Sequence, residues 1–219
     1  MNSDFIIAVL VVVFVLAGIH ISNLVYDRGV PHFFSRKIGH GAGGFAFLAA
    51  LVVSPWTAMA IAATFSIMMA LAQRWRPDYI RGIGGAGRDS KTLSEVWFPF
   101  VALPVFGISW LWLNQPLPAV ASLLFMAWGD GITGLVRGRV YHRQVKGLWG
   151  SLAMLLVCLA ISWVLIKPLW IGVIASVAAT VTEWSFGDSG RLKWADDNLA
   201  VPLVSLGIIL GLMALTGVL

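Results

Sequence analysis

The chain reads as an all-α, polytopic integral membrane protein with about eight transmembrane helices. Three observations lead there. Of its 219 residues, 59% are hydrophobic and only 11% charged, and the mean hydropathy is +0.87. Apolar runs recur at roughly 5–22, 38–54, 56–73, 95–113, 117–136, 150–166, 168–183 and 199–218, each near the ~20 residues that a helix needs to cross a bilayer. The basic residues fall almost wholly between alternate runs. Such a composition excludes a soluble domain with a large core. The length leaves room for a single membrane domain over residues 1–219.

The first run follows Asp4 and continues unbroken to Ala17. It lacks a basic leading region and a small-residue cleavage site, so it reads as a retained span and not a signal peptide. Ser54-Pro55, Asn114-Gln115-Pro116 and Lys167-Pro168 are tight breaks, and proline suits the first turn of the helix that follows. Between the first and second runs lie Arg28, Arg36 and Lys37; after the third come Arg74, Arg76, Arg81, Arg88 and Lys91. Arg137, Arg139, Arg143 and Lys146 follow the fifth, and Arg191 and Lys193 the seventh. With eight spans, all of these face one side and Lys167 alone faces the other. The positive-inside rule makes the basic side cytoplasmic and puts both termini outside, in an inner or plasma membrane if the source is prokaryotic. The net charge of +5 therefore serves topology and headgroup or phosphate contacts, and does not point to nucleic acid. Cys158 is the single cysteine, so there is no disulfide framework.

This topology brings every chemically promising residue to one level. Arg36, Lys37 and His40 open the second run, and Asp130 lies near the end of the fifth. Lys146 to Ser151 opens the sixth, Glu183 ends the seventh, and Asp197-Asn198 opens the eighth. Five helix ends carrying polar groups at one leaflet predict a single site at the cytoplasmic face.

An intramembrane carboxylate such as Asp130 costs roughly 2.5–3.5 kcal/mol at a helix centre and marks a functional site by default; pairing with Arg137 is the structural alternative. Around it, Gly129, Gly134 and Gly138 leave little side-chain bulk. Glycines let phosphates approach the backbone, and a carboxylate there offers Mg²⁺ an oxygen ligand; close helix packing explains the same small residues. Arg36, Lys37 and His40 share one helical face. The two cations either hold phosphate oxygens or snorkel to fix topology. Lys146 precedes Gly147-Leu148-Trp149-Gly150-Ser151, where a helix start offers unpaired N–H groups to an anion; Ser151 also suits an N-cap. Asp196-Asp197-Asn198 before the last run exceeds what one cap requires, and with Glu183 it adds oxygen ligands suited to Mg²⁺.

Two patterns carry no such weight. Gly82-Ile83-Gly84-Gly85-Ala86-Gly87 fits G-x-G-x-x-G, but no strand precedes it, and Arg88-Asp89 stands where a Walker A loop needs Lys-Ser/Thr. It reads as a flexible cytoplasmic loop. His20, His32 and His142 lack ligand spacing and read as structural or interfacial.

Taken together, these residues resemble the CTP-dependent polyprenol kinases, which comprise phytol kinases, dolichol kinases and CTP-dependent diacylglycerol kinases. Arg36-Lys37-Ile38-Gly39-His40 looks like that family's R-K-x-x-H. Gly129-Asp130-Gly131, with Lys146 and Gly150-Ser151 downstream, looks like its G-D-x-x-A … K-S-x-x-G-S block. Asp196-Asp197-Asn198-Leu199-Ala200-Val201-Pro202-Leu203 is similar to the D-D-N-x-x-V-P-L ending of the phytol kinase branch. Departures are Thr133 for Ala, Arg137 for Gly with Gly138 one residue on, and Gly147 for the Ser after the lysine.

The resemblance implies transfer of the γ-phosphate of CTP to a membrane lipid alcohol such as phytol, geranylgeraniol or a polyprenol. Asp130, Glu183 and Asp197 would then be the metal ligands. Arg36, Lys37, Arg137, Arg139 and Lys146 would meet phosphate with Gly129, Gly134, Gly138, Gly150, Ser151 and Asn198. Either Asp130 or His40 would accept the hydroxyl proton, beside a catalytic Lys146. Three rivals stand beside this expectation. A CTP-dependent diacylglycerol kinase would differ in acceptor. A CTP:phosphatidate cytidylyltransferase would carry a long C-terminal Lys-Asp/His-Gly-Gly/Asp-Arg signature, which is missing here. A small transporter would place its charges near the midplane and in repeated halves.

Overall fold

The structure, a computed structural model, describes residues 3–84, 93–142, 145–186 and 196–219. Gly85 to Gly87 of the glycine-rich stretch, with Arg88, Lys91, Arg143, Arg191 and Lys193, lie outside the described residues. Each of the eight apolar runs is helical: α1 (Ser3–Asp27), α2 (His32–Ala49), α3 (Pro55–Trp75), α4 (Ser94–Trp112), α5 (Pro116–Tyr141), α6 (Leu148–Leu165), α7 (Leu169–Ser185) and α8 (Asp197–Leu215). Six of these are long and apolar enough to cross a membrane. The other two are α2, whose opening turns are basic, and α7, which has 17 residues.

Local sequence explains the boundaries. α2 begins six residues before its apolar run because Pro31 ends the preceding turn and the basic residues continue the helix. Arg36 and Lys37 therefore sit within α2 and not ahead of it. At α3, Ser54 accepts the Thr57 amide at 3.2 Å and Pro55 occupies the first turn. Asp4 reaches across to the same end, accepting the Ser54 amide at 2.9 Å and the Thr57 hydroxyl at 3.1 Å. α8 is capped by Asp196, whose Oδ1 accepts the Asn198 amide at 2.9 Å. At the other end of α5, His142 takes a left-handed φ of 52° and stops the helix.

α5 is the centre of the fold. In its apolar window 72% of residues are buried, against 22% for α1. It packs against α2, α6 and α8, while α7 lies against α6 and α8. Small residues set these distances. A Cβ on Gly44 of α2 would lie 2.0 Å from the Trp128 indole nitrogen. Between α6 and α7, Ser162 and Ser176 exchange a 2.9 Å hydrogen bond beside Gly172. α5 also changes pitch: residues Phe125–Asp130 form a π-helical turn between two α-helical segments, a distortion common where a helix serves a site.

The described start of the glycine-rich stretch, at Gly82, is docked on α1 and α2. A short 3₁₀ turn (Pro77–Ile80) leads into Gly82, whose amide donates to Asn23 at 2.7 Å and whose carbonyl accepts from Ser35 at 2.7 Å. A Cβ on Gly82 would lie 2.4 Å from the Ser22 backbone, so only glycine lets the segment dock on α1.

The buried apolar side chains fall into two clusters. Among the described residues, the larger runs from Phe47, Ala58 and Ala62 of α2 and α3 through α4 to α8; the smaller joins Ile19, Phe65, Met69 and Ile80. Residues of both line an apolar cavity bounded by α1, α2, α3 and α4.

Candidate active site

The site forms where the basic ends of the helices meet. From α2, Lys37 reaches Asp130 of α5, its Nζ 2.8 Å from Oδ2 and 3.0 Å from the backbone carbonyl. His40, one turn on, brings Nδ1 to 3.5 Å from the same Oδ2. The lysine can cross because Gly134 has no side chain: a Cβ there would lie 2.1 Å from Lys37 Cε.

A second, denser knot lies alongside. Arg137 grips Glu183 in a two-pronged ion pair of 2.8 and 3.0 Å, the geometry that makes guanidinium–carboxylate contacts strong. Lys146 adds a 2.5 Å contact to Glu183 Oε1 and a further one to its backbone carbonyl. Glu183 is 1% exposed, so its charge must be compensated in place. Gly150 makes the room, since a Cβ there would lie 2.5 Å from Arg137 Nε.

Asp197 joins the two knots. Its Oδ2 lies 3.7 Å from Lys146. Oxygens of Asp130, Glu183 and Asp197 come within 4.8 Å of one another, from three different helices. Because Asp196 serves as the cap, Asp197 is not needed for capping. Asp196 also accepts from Ser94, and Asn198 Nδ2 donates to the Ser94 carbonyl at 3.1 Å, which ties α8 to α4.

The sequence-predicted residues thus divide. Lys37, His40, Asp130, Arg137, Lys146, Glu183, Asp197 and Asn198 converge. Asp130 pairs with Lys37 and not with Arg137. Arg36 borders the neighbouring cavity, and Arg139 is exposed. Gly134 and Gly150 clear the way for cation side chains. Gly129 and Gly138 make room for Cys158 and Phe33. Ser151 does not cap α6, whose N-cap is Gly147. Its buried hydroxyl has no partner among the described residues, nor do Asn198 Oδ1 and Arg137 Nε. Thr133, at a position where the resemblance expects alanine, bonds to the carbonyls of Gly129 and Gly150 at 2.9 and 3.3 Å and fastens α5 to α6.

Sequence reading missed Glu95. It lies in the first turn of α4, is 8% exposed and borders the cavity with Arg36, His40 and Asn198. A carboxylate at the head of an apolar run was the available signal.

A phytol kinase from Synechocystis sp. is 32% identical to this chain over 180 residues, covering 78% of this chain and 76% of the relative. The chain belongs to the polyprenol/phytol kinase family. No family model matches it, and no solved structure does. Membership joins the apolar helices in marking an integral membrane protein of a lipid-kinase family. It also gives the carboxylate–cation cluster a context: a phosphoryl-transfer site consists largely of positioned charge.

Proposed function

We propose that this protein is a CTP-dependent lipid kinase that transfers the γ-phosphate to the hydroxyl of a membrane isoprenoid alcohol such as phytol, geranylgeraniol or a polyprenol. The observation that carries the proposal is the meeting of Asp130, Glu183 and Asp197 within 4.8 Å, interleaved with Lys37, Arg137 and Lys146. Phosphoryl transfer asks for positioning and charge neutralisation more than covalent chemistry, and this cluster offers both signs of charge side by side.

The donor set suits Mg²⁺. All three ligands are carboxylates, and their oxygens, within 4.8 Å of one another, come near the roughly 3.0–4.2 Å between neighbouring and opposite ligands of an octahedral ion at about 2.1 Å. Both contacts to Asp130 fall on Oδ2, and Asp197 has a single cation at 3.7 Å. These two would hold the ion, with Glu183 beside them. The ion would neutralise phosphate charge. Lys37 and Lys146 would orient the phosphates, and the partnerless Ser151 hydroxyl would donate to one. Either Asp130 or His40 would accept the alcohol proton.

In this reading the site faces the cytoplasm, eight helices span the membrane and both termini lie outside. A reporter fused after Leu219 should then register the external side. The decisive assay incubates purified protein with γ-labelled CTP and a panel of phytol, geranylgeraniol, farnesol, polyprenol and diacylglycerol. Labelled isoprenoid phosphate is expected. Label on diacylglycerol alone would make it a diacylglycerol kinase, and cytidylylated lipid with released pyrophosphate would overturn the kinase reading.

A further inference from the structure

The cavity between α1, α2, α3 and α4 plays no part in the charge cluster, yet it meets that cluster at one end. Its empty volume is about 920 Å³, part of it continuous with the surroundings. The walls run lengthwise. On α2 the lining begins at Arg36 and His40 and continues through Gly43 and Ala46 to Ala49, about 20 Å at 1.5 Å per residue. On α3 it runs from Met69 back to Ala58.

Polarity is confined to one end. Arg36, His40, Ser94, Glu95 and Asn198 border the mouth, and beyond them the lining is apolar to Val53 and Ala58. Two mouth residues also belong to the charge cluster: His40 touches Asp130, and Asn198 follows Asp197. A molecule filling the cavity would therefore present its polar end to the carboxylates and its tail to the depth of the membrane.

We propose that this cavity holds the hydrocarbon tail of the acceptor alcohol in extended form, with the hydroxyl between His40 and Glu95, and that its depth selects chain length. The assignment rests on the kinase reading above. An extended chain advances roughly 3.3–3.6 Å for every three bonds, so sixteen carbons in line, the main chain of a diterpenoid alcohol, reach about 17–18 Å. That fits within the length of the lining. Small residues recur along both long walls, Gly43 and Ala46 on α2 facing Ala58 and Ala62 on α3. Such walls admit the methyl branches of one isoprenoid chain.

Two measurements test this. In the first, turnover of geraniol, farnesol and geranylgeraniol is compared in Ala58→Phe, at the deep end, and Ala62→Phe, one turn nearer the mouth. Ala58→Phe should lose geranylgeraniol turnover by about tenfold or more while keeping geraniol, and Ala62→Phe should lose farnesol as well. Unchanged chain-length profiles in both folded variants would overturn the proposal. In the second, wild-type protein in nanodiscs is photolabelled with a phytol analogue carrying a diazirine near its tail end, with phytol or diacylglycerol as competitor. Adducts near Ala50, Ala58 and Ala62 that phytol suppresses are expected. Adducts confined to outward residues such as Phe45, Leu48 and Ile67, or suppression by diacylglycerol and not by phytol, would overturn it. Labelling does not need turnover. Cavity adducts from a protein inactive with every nucleotide would sink the kinase reading and leave the tail site standing.

Discussion

Two regions of this molecule solve opposite problems. Around α5, at the ends of α6, α7 and α8, buried charges are locked together: Arg137 and Lys146 close on Glu183, and Lys37 closes on Asp130. Between α1, α3 and α4 the chain leaves a long apolar space. The first region spends ion pairs on rigidity, because an unpaired charge in a low-dielectric interior is untenable. In the second, helices that lipid can solvate from outside have no need to fill every gap between them. α2 belongs to both, with Lys37 facing the locked region and Gly43 facing the open one. On the proposed assignments, chemistry and substrate capacity would change independently, and perturbations should sort by region.

The sharpest separation is expected at Asp130. Asp130→Asn keeps the side-chain size and removes the charge, so on the proposed mechanism turnover should fall at least about a hundredfold. Binding of a phytol probe in the cavity should persist. Near-normal turnover would reduce Asp130 to a partner for Lys37.

Asp197→Asn should come next. Asp196 provides the cap, so thermal stability in detergent should barely move, while activity collapses and excess Mg²⁺ restores part of it. Equal small losses in both would assign Asp197 to structure alone.

Glu183→Gln tests the locked region as scaffold. It leaves Arg137 and Lys146 buried without their shared carboxylate, a disruption of about 3–5 kcal/mol in buried pairs. A large fall in melting temperature is expected. An unshifted melting curve with lost activity would make Glu183 a dedicated metal ligand. At the small end, Arg139→Gln should change neither stability nor KM for CTP, since Arg139 is exposed. A several-fold rise in KM would bring it back among the phosphate contacts.

Much of this arrangement was legible in the sequence. The alternation of basic loops fixes which helix ends share a face, and that alone gathers Lys37, Asp130, Lys146, Glu183 and Asp197. What it could not supply was pairing. Asp130 and Arg137 are seven residues apart on one helix, about 10.5 Å along the axis, too far for contact, and the partner each finds depends on how α2 and α7 rotate against α5. Gly134 and Gly150 signalled close approach correctly, but sequence cannot say whether a phosphate or a neighbouring lysine or arginine does the approaching. The cavity left no trace, because Ala58, Ala62 and Gly43 look like ordinary membrane-helix residues until four helices are assembled around them.

The clasp formed by Asp4 with Ser54 and Thr57 ties the far ends of α1 and α3 together, immediately past Val53 and Ala58 at the floor of the slot. It makes the slot a blind alley. A guest cannot thread in from the opposite surface of the membrane or trail out through it. On the proposed assignment, entry and departure would run through the polar mouth or sideways from the bilayer, and a guest longer than the alley would lean out between helices into the surrounding lipid.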